Sequence, residues 1–266
     1  VLMISGMGLH PDAVWMLRQA GIRAAVLFTE SPYNDVQQRE FHAVYPEMQC
    51  FTTERVSATG GWTYLPHAHD RAIHRPIPSA PEWDVLMVGT FWPERIRLLE
   101  QVDWHGIKVK FMGTWVAPPY PQDSPLGPHY SEELVHNADA PELYGKARIC
   151  LNMYRHDALA ESLNPRAYEL AACRAFQLTD WRAELDEVFP GSARPVVFTD
   201  AADLEAKIRY WLARPEAERL ERAEASYRAV QPHTFDARAE ILERALGQHM
   251  TRAAVRDNVT AMAAAI

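Results

Sequence analysis

The chain has 266 residues, of which 48% are hydrophobic and 23% are charged, and its formal net charge is −8. This composition is typical of a globular protein and excludes the fibrous, disordered and membrane-embedded classes. The excess of acids, with no lysine up to Ala80, argues against strong, salt-driven binding of nucleic acid, although not against a weakly held DNA substrate.

Short apolar strands alternate with helices in the first part of the chain. VLMIS predicts a buried strand, and HPDAVWMLRQAG, which follows two glycines, predicts a helix. IRAAVLFTE, MQCFTT and WTYLP predict three more strands, with a helix in NDVQQREFHAVYP. This alternation indicates a parallel sheet with helices on both faces. Because the first residue is Val1 and not Met, the natural chain could begin earlier and the N-terminal domain could be truncated.

The same pattern restarts after RPIPSAPEWD, a segment with three prolines. DVLMVGT and IKVKFMGT predict strands that end on a glycine, with the helix PERIRLLEQV between them. A proline-rich loop, a helix near 141–146, the strands ARICLNMY, AFQLTD and PVVFTD, and three helices follow. We therefore predict an α/β fold of two Rossmann-like domains facing across a cleft. The predicted parts are an N-terminal domain over 1–76, a linker over 77–84, a C-terminal domain over 85–240 and a helical tail over 241–266.

The segment ESLNPRAYELAACRA, residues 161–175, places a helix start between two carboxylates. Asn164 is a favoured N-cap and Pro165 a favoured first helical residue, so the helix is predicted to begin at Pro165. Free N–H groups at a helix N-terminus suit a phosphate, and Arg166 adds a charge that a phosphate could pair with. Glu169 lies among apolar residues, where a carboxylate needs a partner such as a sugar diol. The alternative is an ordinary helix start with solvated charges.

Several segments, in order along the chain, resemble one protein family. ESLNPRAYELAACRAFQLTD is similar to the glutamate, seven residues, glutamate signature of the retaining, group-1 type glycosyltransferases, in their spore-maturation-protein-like branch. YLPHAHDRAIHRP, DVLMVGTFWPERIRLLEQV, ELYGKARICLNMY and PHTFDARAEILERAL resemble further segments of that branch. The resemblance covers nearly the whole chain and implies the GT-B glycosyltransferase architecture. Leu163 and Arg174 depart from the family, which often has glycine at these positions.

The resemblance implies a nucleotide-diphosphate sugar, UDP-linked before other nucleotides, bound mainly by the C-terminal domain. Glu161 would hold the transferred sugar, Glu169 the ribose hydroxyls, and the backbone of 162–164 with the helix N-terminus the diphosphate. Arg95, with Arg97 as the alternative, would neutralise the leaving phosphate together with Arg166. The predicted donor-binding residues are Gly89, Thr90, Trp115, Ser162, Leu163, Asn164 and Glu169; Trp115 is expected to stack on the base or else to pack in the core.

The segment HAHD, 67–70, is expected to reach the cleft from the N-terminal domain. Asp70 directly follows His69, unlike the His-x-His-x-Asp-His motif of binuclear zinc hydrolases, so no metal site is predicted. A histidine that titrates near neutral pH would suit proton acceptance. The predicted catalytic residues are Glu161, Arg95, Arg166, His67 and His69.

The acceptor is expected to bind the N-terminal domain. Gly6 and Gly8 lack the third glycine of a dinucleotide fingerprint, because Pro11 stands in its place, and they predict only a tight turn. Strand ends such as TESPY would line the acceptor side. The predicted acceptor-side residues are Gly6, Gly8, Glu30, Tyr33 and Asp70.

The sequence thus predicts a metal-independent glycosyltransferase that uses no cofactor besides its donor, with retention favoured. The alternatives are an epimerase or phosphorylase of the same fold, a glycosyltransferase acting on hydroxymethylated bases of viral DNA, and a non-catalytic sugar-nucleotide-binding protein. A phosphorylase would need a pyridoxal lysine, and Lys146 and Lys207 lie in no such context. A glycan or small-molecule acceptor is favoured on charge grounds, while the donor sugar and the oligomeric state stay open. Three cysteines without metal-like spacing predict reduced thiols and a cytoplasmic protein.

Overall fold

The computed structural model describes residues 1–6, 10–58, 61–156 and 158–247, and these residues form two parallel sheets. The first sheet has the strand order β1-β2-β3-β4, every neighbouring pair being parallel. Its core lies between the sheet and the helices, where Val14, Val26 and Phe28 are buried. The elements of this first unit are Leu2–Ile4 (β1), Pro11–Gln19 (α1), Ala25–Phe28 (β2), Asp35–Val44 (α2), Gln49–Thr52 (β3) and Thr63–Tyr64 (β4).

The second sheet has six parallel strands, which are Trp83–Val88 (β5), Val109–Met112 (β6), Tyr130–Ser131 (β7), Ala147–Asn152 (β8), Gln177–Thr179 (β9) and Val196–Val197 (β10). Their order is β10-β9-β8-β5-β6-β7. In this doubly wound order the direction of winding reverses between β5 and β8, and ligands bind beyond the carboxyl ends of the two strands at such a reversal. The predicted fold class, α/β with two Rossmann-like units, is confirmed.

Helices cover both faces of the second sheet. Fully buried side chains such as Phe111, Ile149 and Leu178 pack one face against its helices. None of the described helices is both long and apolar enough to cross a membrane. The sequence pattern missed β7 and the one-turn helix α6 because segments of two and four residues are too short to show a period. The helices after β5 are Pro93–Leu99 (α3), Ala140–Gly145 (α4), Pro165–Ala172 (α5), Leu185–Val188 (α6), Ala201–Ala213 (α7), Glu216–Val230 (α8) and Phe235–Ala245 (α9).

The helix α9 returns to the first unit. Ile241 and Leu242 pack against Ala25, Phe51 and Leu65 of the first unit. The predicted boundary of the helical tail, residue 241, therefore falls inside α9, and the tail after residue 247 lies outside the described residues. The chain crosses between the units twice, once after β4 and once before α9.

The two crossings lie side by side. The His69 N–H donates to the His233 carbonyl oxygen, and the Phe235 N–H donates to the His69 carbonyl oxygen, each at 3.1 Å. Arg238 of α9 donates to the carbonyl oxygens of Pro66 and His67 at 3.0 and 3.1 Å. This double crossing is one of the places where the two units are joined by hydrogen bonds.

Two glycines follow β5 and β6 and bring these strand ends into close contact. Gly89 and Gly113 have φ values of +152° and +129°. A Cβ on Gly113 would lie 2.1 Å from the carbonyl oxygen of Gly89, so no side chain fits there without movement of the backbone. The edge of the second sheet that faces the first unit therefore depends on glycine at position 113.

We expect Gly113→Ala to lower the free energy of unfolding by about 2–4 kcal/mol, because it adds backbone displacement to an unfavourable φ. Gly106→Ala is the matched control, since its φ is +75° and no atom lies within 4 Å of the added Cβ. The control should lose only about 1–2 kcal/mol. Urea unfolding followed by circular dichroism measures both losses, and equal losses would contradict the close-contact argument.

Candidate active site

A cavity of about 620 Å³ lies where the carboxyl ends of the two sheets meet. The lining comes from the segments after β2 and β3 in the first unit, and from the ends of β5 and β8 and the start of α5 in the second. A second cavity, of about 640 Å³, contains Val1, Arg18 and Glu47 in its lining, but none of the predicted site residues. The first cavity is therefore the candidate site. Its main lining segments are 29–33, 53–54, 87–90, 151–155 and 162–166.

The start of α5 is fixed to the end of β8 by a pair of asparagines. The Asn164 Oδ1 caps the helix by accepting from the Ala167 N–H at 3.0 Å. Asn152 and Asn164 also exchange two amide hydrogen bonds, at 2.8 and 3.1 Å. Asn152 donates further to Gln177 Oε1 at 3.1 Å. The predicted helix start at Pro165 is confirmed, and the amide pair holds this helix N-terminus at the cavity.

Arg95 lines the cavity between the ends of β5 and β8. Its side chain is buried, with the residue 9% exposed, and its guanidinium donates to the carbonyl oxygens of Thr90 and Met153. Its Nε has no hydrogen-bond partner within the described residues. Burial lowers the pKa of Arg95 to about 10. The alternative residue, Arg97, is exposed and does not line the cavity.

Arg166 lies in the first turn of α5 and also lines the cavity. Its guanidinium donates to the Tyr144 hydroxyl, and its Nε lies 3.9 Å from Glu169 Oε2. Glu169, which is 7% exposed, lines the cavity as well. After burial, the charge of Arg166 is a further cause that lowers the pKa of Arg95, although the carboxylates of Asp180 and Glu94 oppose this shift. Arg95 and Arg166 thus both line the cavity at the reversal point of the sheet.

Two further arginines line the cavity and were missed from the sequence. Arg182 is buried and donates to the carbonyl oxygens of Ala160 and Arg155. The Arg155 guanidinium lies 4.3 Å from the ring centroid of Tyr33 and 4.4 Å from that of Trp92, so it spans from one unit to the other. Both arginines stand within three residues of the end of a parallel strand, and that position was the signal that could have identified them.

The first unit contributes no lysine or arginine to the described cavity lining. Its acidic contributions are Glu30, as predicted for the acceptor side, and Glu54, which the sequence did not suggest. Tyr33 also lines the cavity, and its hydroxyl donates to the Arg155 carbonyl oxygen at 3.0 Å. The cavity is thus cationic on the side of the second unit and acidic on the side of the first.

The N–H groups of Ser162 and Leu163, which were predicted to cradle a diphosphate, donate to side chains of the protein in this structure. The Ser162 N–H donates to the Glu54 carboxylate at 3.2 Å, and the Leu163 N–H donates to Glu184 Oε2 at 2.7 Å. Both donors are already used in this conformation. The Asn164 side chain caps α5, as predicted.

Glu161 does not line the cavity, although its neighbours in sequence do. Its N–H donates to Glu54 Oε1 at 3.0 Å, and its carbonyl oxygen accepts from the Glu184 N–H at 3.1 Å. The loop is thus held by its backbone between two carboxylate residues. Of the two glutamates predicted to hold the transferred sugar and the ribose, Glu169 lines the cavity and Glu161 does not.

Trp115 packs in the core of the second unit and does not line the cavity. Its ring stacks on Phe91, with centroids 5.2 Å apart and an interplanar angle of 6°. Its indole N–H donates to the carbonyl oxygens of Ala117 and Pro119 at 2.7 and 2.8 Å. These contacts support the packing alternative and not stacking on a donor base.

The remaining predicted residues of the first unit divide into one that lines the cavity and others that do not. His67 lines it, whereas His69, which is 1% exposed, is buried in the double crossing. The Asp70 carboxylate accepts from the Ala72 N–H at 2.7 Å and so stabilises a turn. Gly6 does not line the cavity, and Gly8 lies outside the described residues.

The histidine predicted to titrate near neutral pH does not do so at position 67. Burial and the Arg238 charge lower the pKa of His67 to about 4. Burial lowers the pKa of His69 too. No group of three or more His, Cys, Asp or Glu side chains able to hold a metal ion occurs within the described ranges.

The sequence of the chain is similar to those of known proteins. The family model of glycosyl transferase-like proteins matches residues 69–244. The spore protein CgeB of Bacillus subtilis (strain 168) is 28% identical over 166 residues, which cover 58% of this chain and 50% of CgeB. The chain therefore spans about half the length of this curated relative.

Solved structures with low sequence identity share the fold. Anabaena Alr3699/HepE in complex with UDP and glucose has a TM-score of 0.68 at 12% identity, covering 93% of this chain and 78% of that one. Sucrose-phosphate synthase from Thermosynechococcus elongatus has a TM-score of 0.60 at 14% identity, covering 90% and 71%. The DNA-modifying enzyme β-glucosyltransferase has a TM-score of 0.59 at 10% identity, covering 93% and 99%. These likenesses confirm the predicted GT-B architecture.

We expect the stability of the protein to fall as the pH drops from about 6.5 to about 4, partly because of two histidines at the double crossing. The pKa values of His67 and His233 are each lowered from 6.5 to about 4, chiefly by burial. Folding therefore favours their neutral forms, and this contribution, fully present above pH 6.5, is lost as the pH falls through 4.

The measurement is the melting temperature between pH 7 and pH 4. A double variant, His67→Gln with His233→Gln, should show a shallower pH dependence than the wild type. His136→Gln, which changes an exposed histidine, is the control and should keep the wild-type slope. Identical slopes in all three proteins would rule out a contribution of the two half-buried histidines.

Proposed function

Because the chain belongs to the glycosyl transferase-like family, we propose that it transfers a sugar from a nucleotide-diphosphate donor to an acceptor hydroxyl. The observation that carries this proposal is the pair of guanidiniums, Arg95 and Arg166, at the reversal point of the second sheet. Neighbouring like charges in a partly desolvated site repel one another, and an anion between them removes that cost. A diphosphate carries the required charge.

The start of α5 favours the same ligand. Arg166 lies in the first turn of the helix, where its positive charge opposes the helix dipole. A phosphate at this end would offset both the charge and the dipole. The turn at Gly89 and Thr90, at the end of β5, lines the same cavity and supplies the close backbone approach that a diphosphate needs. A UDP-linked donor is supported by the likeness to Anabaena Alr3699/HepE, which was solved with UDP-glucose.

In the proposed reaction the bond between the anomeric carbon and the β-phosphate oxygen breaks, and the diphosphate leaves with the electron pair. The acceptor oxygen forms the new bond to the anomeric carbon. Arg95 and Arg166 stabilise the charge that develops on the diphosphate, so the reaction we propose requires no metal. We propose retention of configuration, in which the leaving phosphate oxygen accepts the proton of the acceptor hydroxyl.

The units divide the substrates between them. The C-terminal unit, over 85–240, would hold the donor, with buried Glu169 accepting hydrogen bonds from the ribose hydroxyls. The N-terminal unit, over 1–76, would hold the acceptor beside Glu30 and Tyr33. Since the described lining of this unit has no lysine or arginine, a glycan or small molecule is favoured over DNA as the acceptor.

We expect Arg166→Gln to weaken UDP binding by about 10- to 100-fold, because it removes a charge-assisted contact to the diphosphate. Isothermal titration calorimetry with UDP measures the change. Arg209→Gln is the matched control, since Arg209 is paired with Asp103 and Glu205 away from the cavity, and it should bind UDP like the wild type. If no UDP-, GDP- or TDP-linked compound binds or thermally stabilises the wild-type protein, the proposed function fails.

Glu169→Ala should reduce sugar transfer or hydrolysis by at least about tenfold, since a buried carboxylate that orients the ribose is lost. A screen of nucleotide sugars, with release of the nucleoside diphosphate as the signal, identifies the donor and then measures the variant. Glu224→Ala removes a partly exposed carboxylate that pairs with Arg174 outside the cavity and serves as the control. Full activity in Glu169→Ala would remove this residue from the donor site.

A further inference from the structure

Glu54 is a buried carboxylate held by backbone N–H groups from both units. It is the second residue after β3 and is 3% exposed. Its Oε1 accepts from the Val56 N–H at 3.1 Å, within its own unit, and from the Glu161 N–H at 3.0 Å in the other. Its Oε2 accepts from the Ser162 N–H at 3.2 Å. The second unit thus supplies two of the three N–H groups that solvate this charge.

Each unit donates hydrogen bonds to the other at this contact. The N–H of Arg55, next in sequence to Glu54, donates to the Ser162 Oγ at 2.9 Å. Residues 54–55 therefore both accept from and donate to residues 161–162. This exchange of hydrogen bonds joins the carboxyl end of the first sheet to the loop that leads into α5.

No ion pair to Glu54 occurs within the described part of the chain, where Arg55, the next residue in sequence, pairs with Glu184 and Glu187. A carboxylate buried without a cation needs several N–H donors to stay ionised. If the two units separated, Glu54 would lose the N–H groups of Glu161 and Ser162, and these two groups would lose their acceptor. Glu54 therefore couples the conformation of the loop to the contact between the units.

We propose that Glu54 is a positioning residue for sugar transfer, coupling the contact between the two units to the conformation of the donor-side loop, 161–163. This inference rests on the proposed function for its effect on turnover. The diphosphate itself binds Arg95 and Arg166, which belong to the second unit, and needs no contact with Glu54. Transfer requires both units, because the acceptor side lies on the first. Glu54 therefore acts on the catalytic step and not on nucleotide affinity.

The variant E54Q tests the coupling. Glutamine keeps the size of the side chain, but its NH₂ group would face an N–H donor that the carboxylate now accepts from. Hydrogen exchange of the Glu161 and Ser162 amides, followed by NMR, should accelerate by at least about tenfold in E54Q. E187Q is the matched control, since it removes an exposed carboxylate that Arg55 contacts outside the cavity, and exchange at these amides should stay within about twofold of the wild type.

The kinetic readout separates positioning from binding. In E54Q the turnover of UDP-glucose should fall by at least about tenfold, while the Kd of UDP stays within about threefold of the wild type. E54D, which keeps the charge but shortens the side chain, should recover part of the turnover. If E54Q does not fold, E54D alone should show faster amide exchange and lower turnover at unchanged UDP affinity.

The outcomes distinguish this inference from the proposed function. Unchanged amide exchange in E54Q overturns the coupling, whatever the activity of the protein. Tighter UDP binding in E54Q would mean that Glu54 competes with the diphosphate for the loop, which also overturns it. If the wild type binds no nucleoside diphosphate, the proposed function fails, but the exchange measurement still decides whether Glu54 couples the two units.

Discussion

The start of α5 is held at the end of β8 by the paired amides of Asn152 and Asn164, and the candidate site depends on this attachment. Parallel strands bring their carboxyl ends to one edge, and the reversal between β5 and β8 opens a crevice there. The asparagine pair places a helix N-terminus at that crevice. Arg166 and Glu169, in the first and second turns of the helix, line the cavity for this reason, and Arg95 of α3 lines it as well.

Charge is divided between the two sides of the cavity. The second unit contributes four arginines to the described lining, Arg95, Arg155, Arg166 and Arg182, against the single carboxylate of Glu169, whereas the first contributes Glu30 and Glu54. An anionic ligand is therefore drawn to the second unit and repelled by the first. A neutral, hydroxyl-bearing ligand would be compatible with the acidic side, where carboxylates accept hydrogen bonds from hydroxyl groups. The charge of the cavity lining thus changes from positive on the second unit to negative on the first.

The features that the sequence predicted correctly carry local signals. The strand and helix alternation, the cap at Asn164 and the first helical residue Pro165 are all encoded within a few neighbouring residues. The placement of Glu54 is not encoded by neighbouring residues, because its partners Glu161 and Ser162 lie 107 and 108 residues away. These partners contribute only backbone N–H groups, which every residue except proline possesses. The role of Trp115 could not be predicted for a different reason. An aromatic residue after a strand has the same sequence pattern whether it stacks on another core residue, as Trp115 does on Phe91, or on a ligand.

Carboxylates of the protein occupy the backbone donors that a helix-capped phosphate site would ordinarily use. Glu54 and Glu184 accept from the N–H groups of Ser162 and Leu163, and burial raises the pKa of Glu184 while its hydrogen bonds oppose that rise. With these donors occupied, the proposed diphosphate would be bound mainly by guanidinium groups. Guanidiniums offer planar, paired donors that match phosphate oxygens. The loop before α5 instead contacts the first unit. This contact explains why a motif that suggests a phosphate-binding loop is held by acidic side chains of the protein.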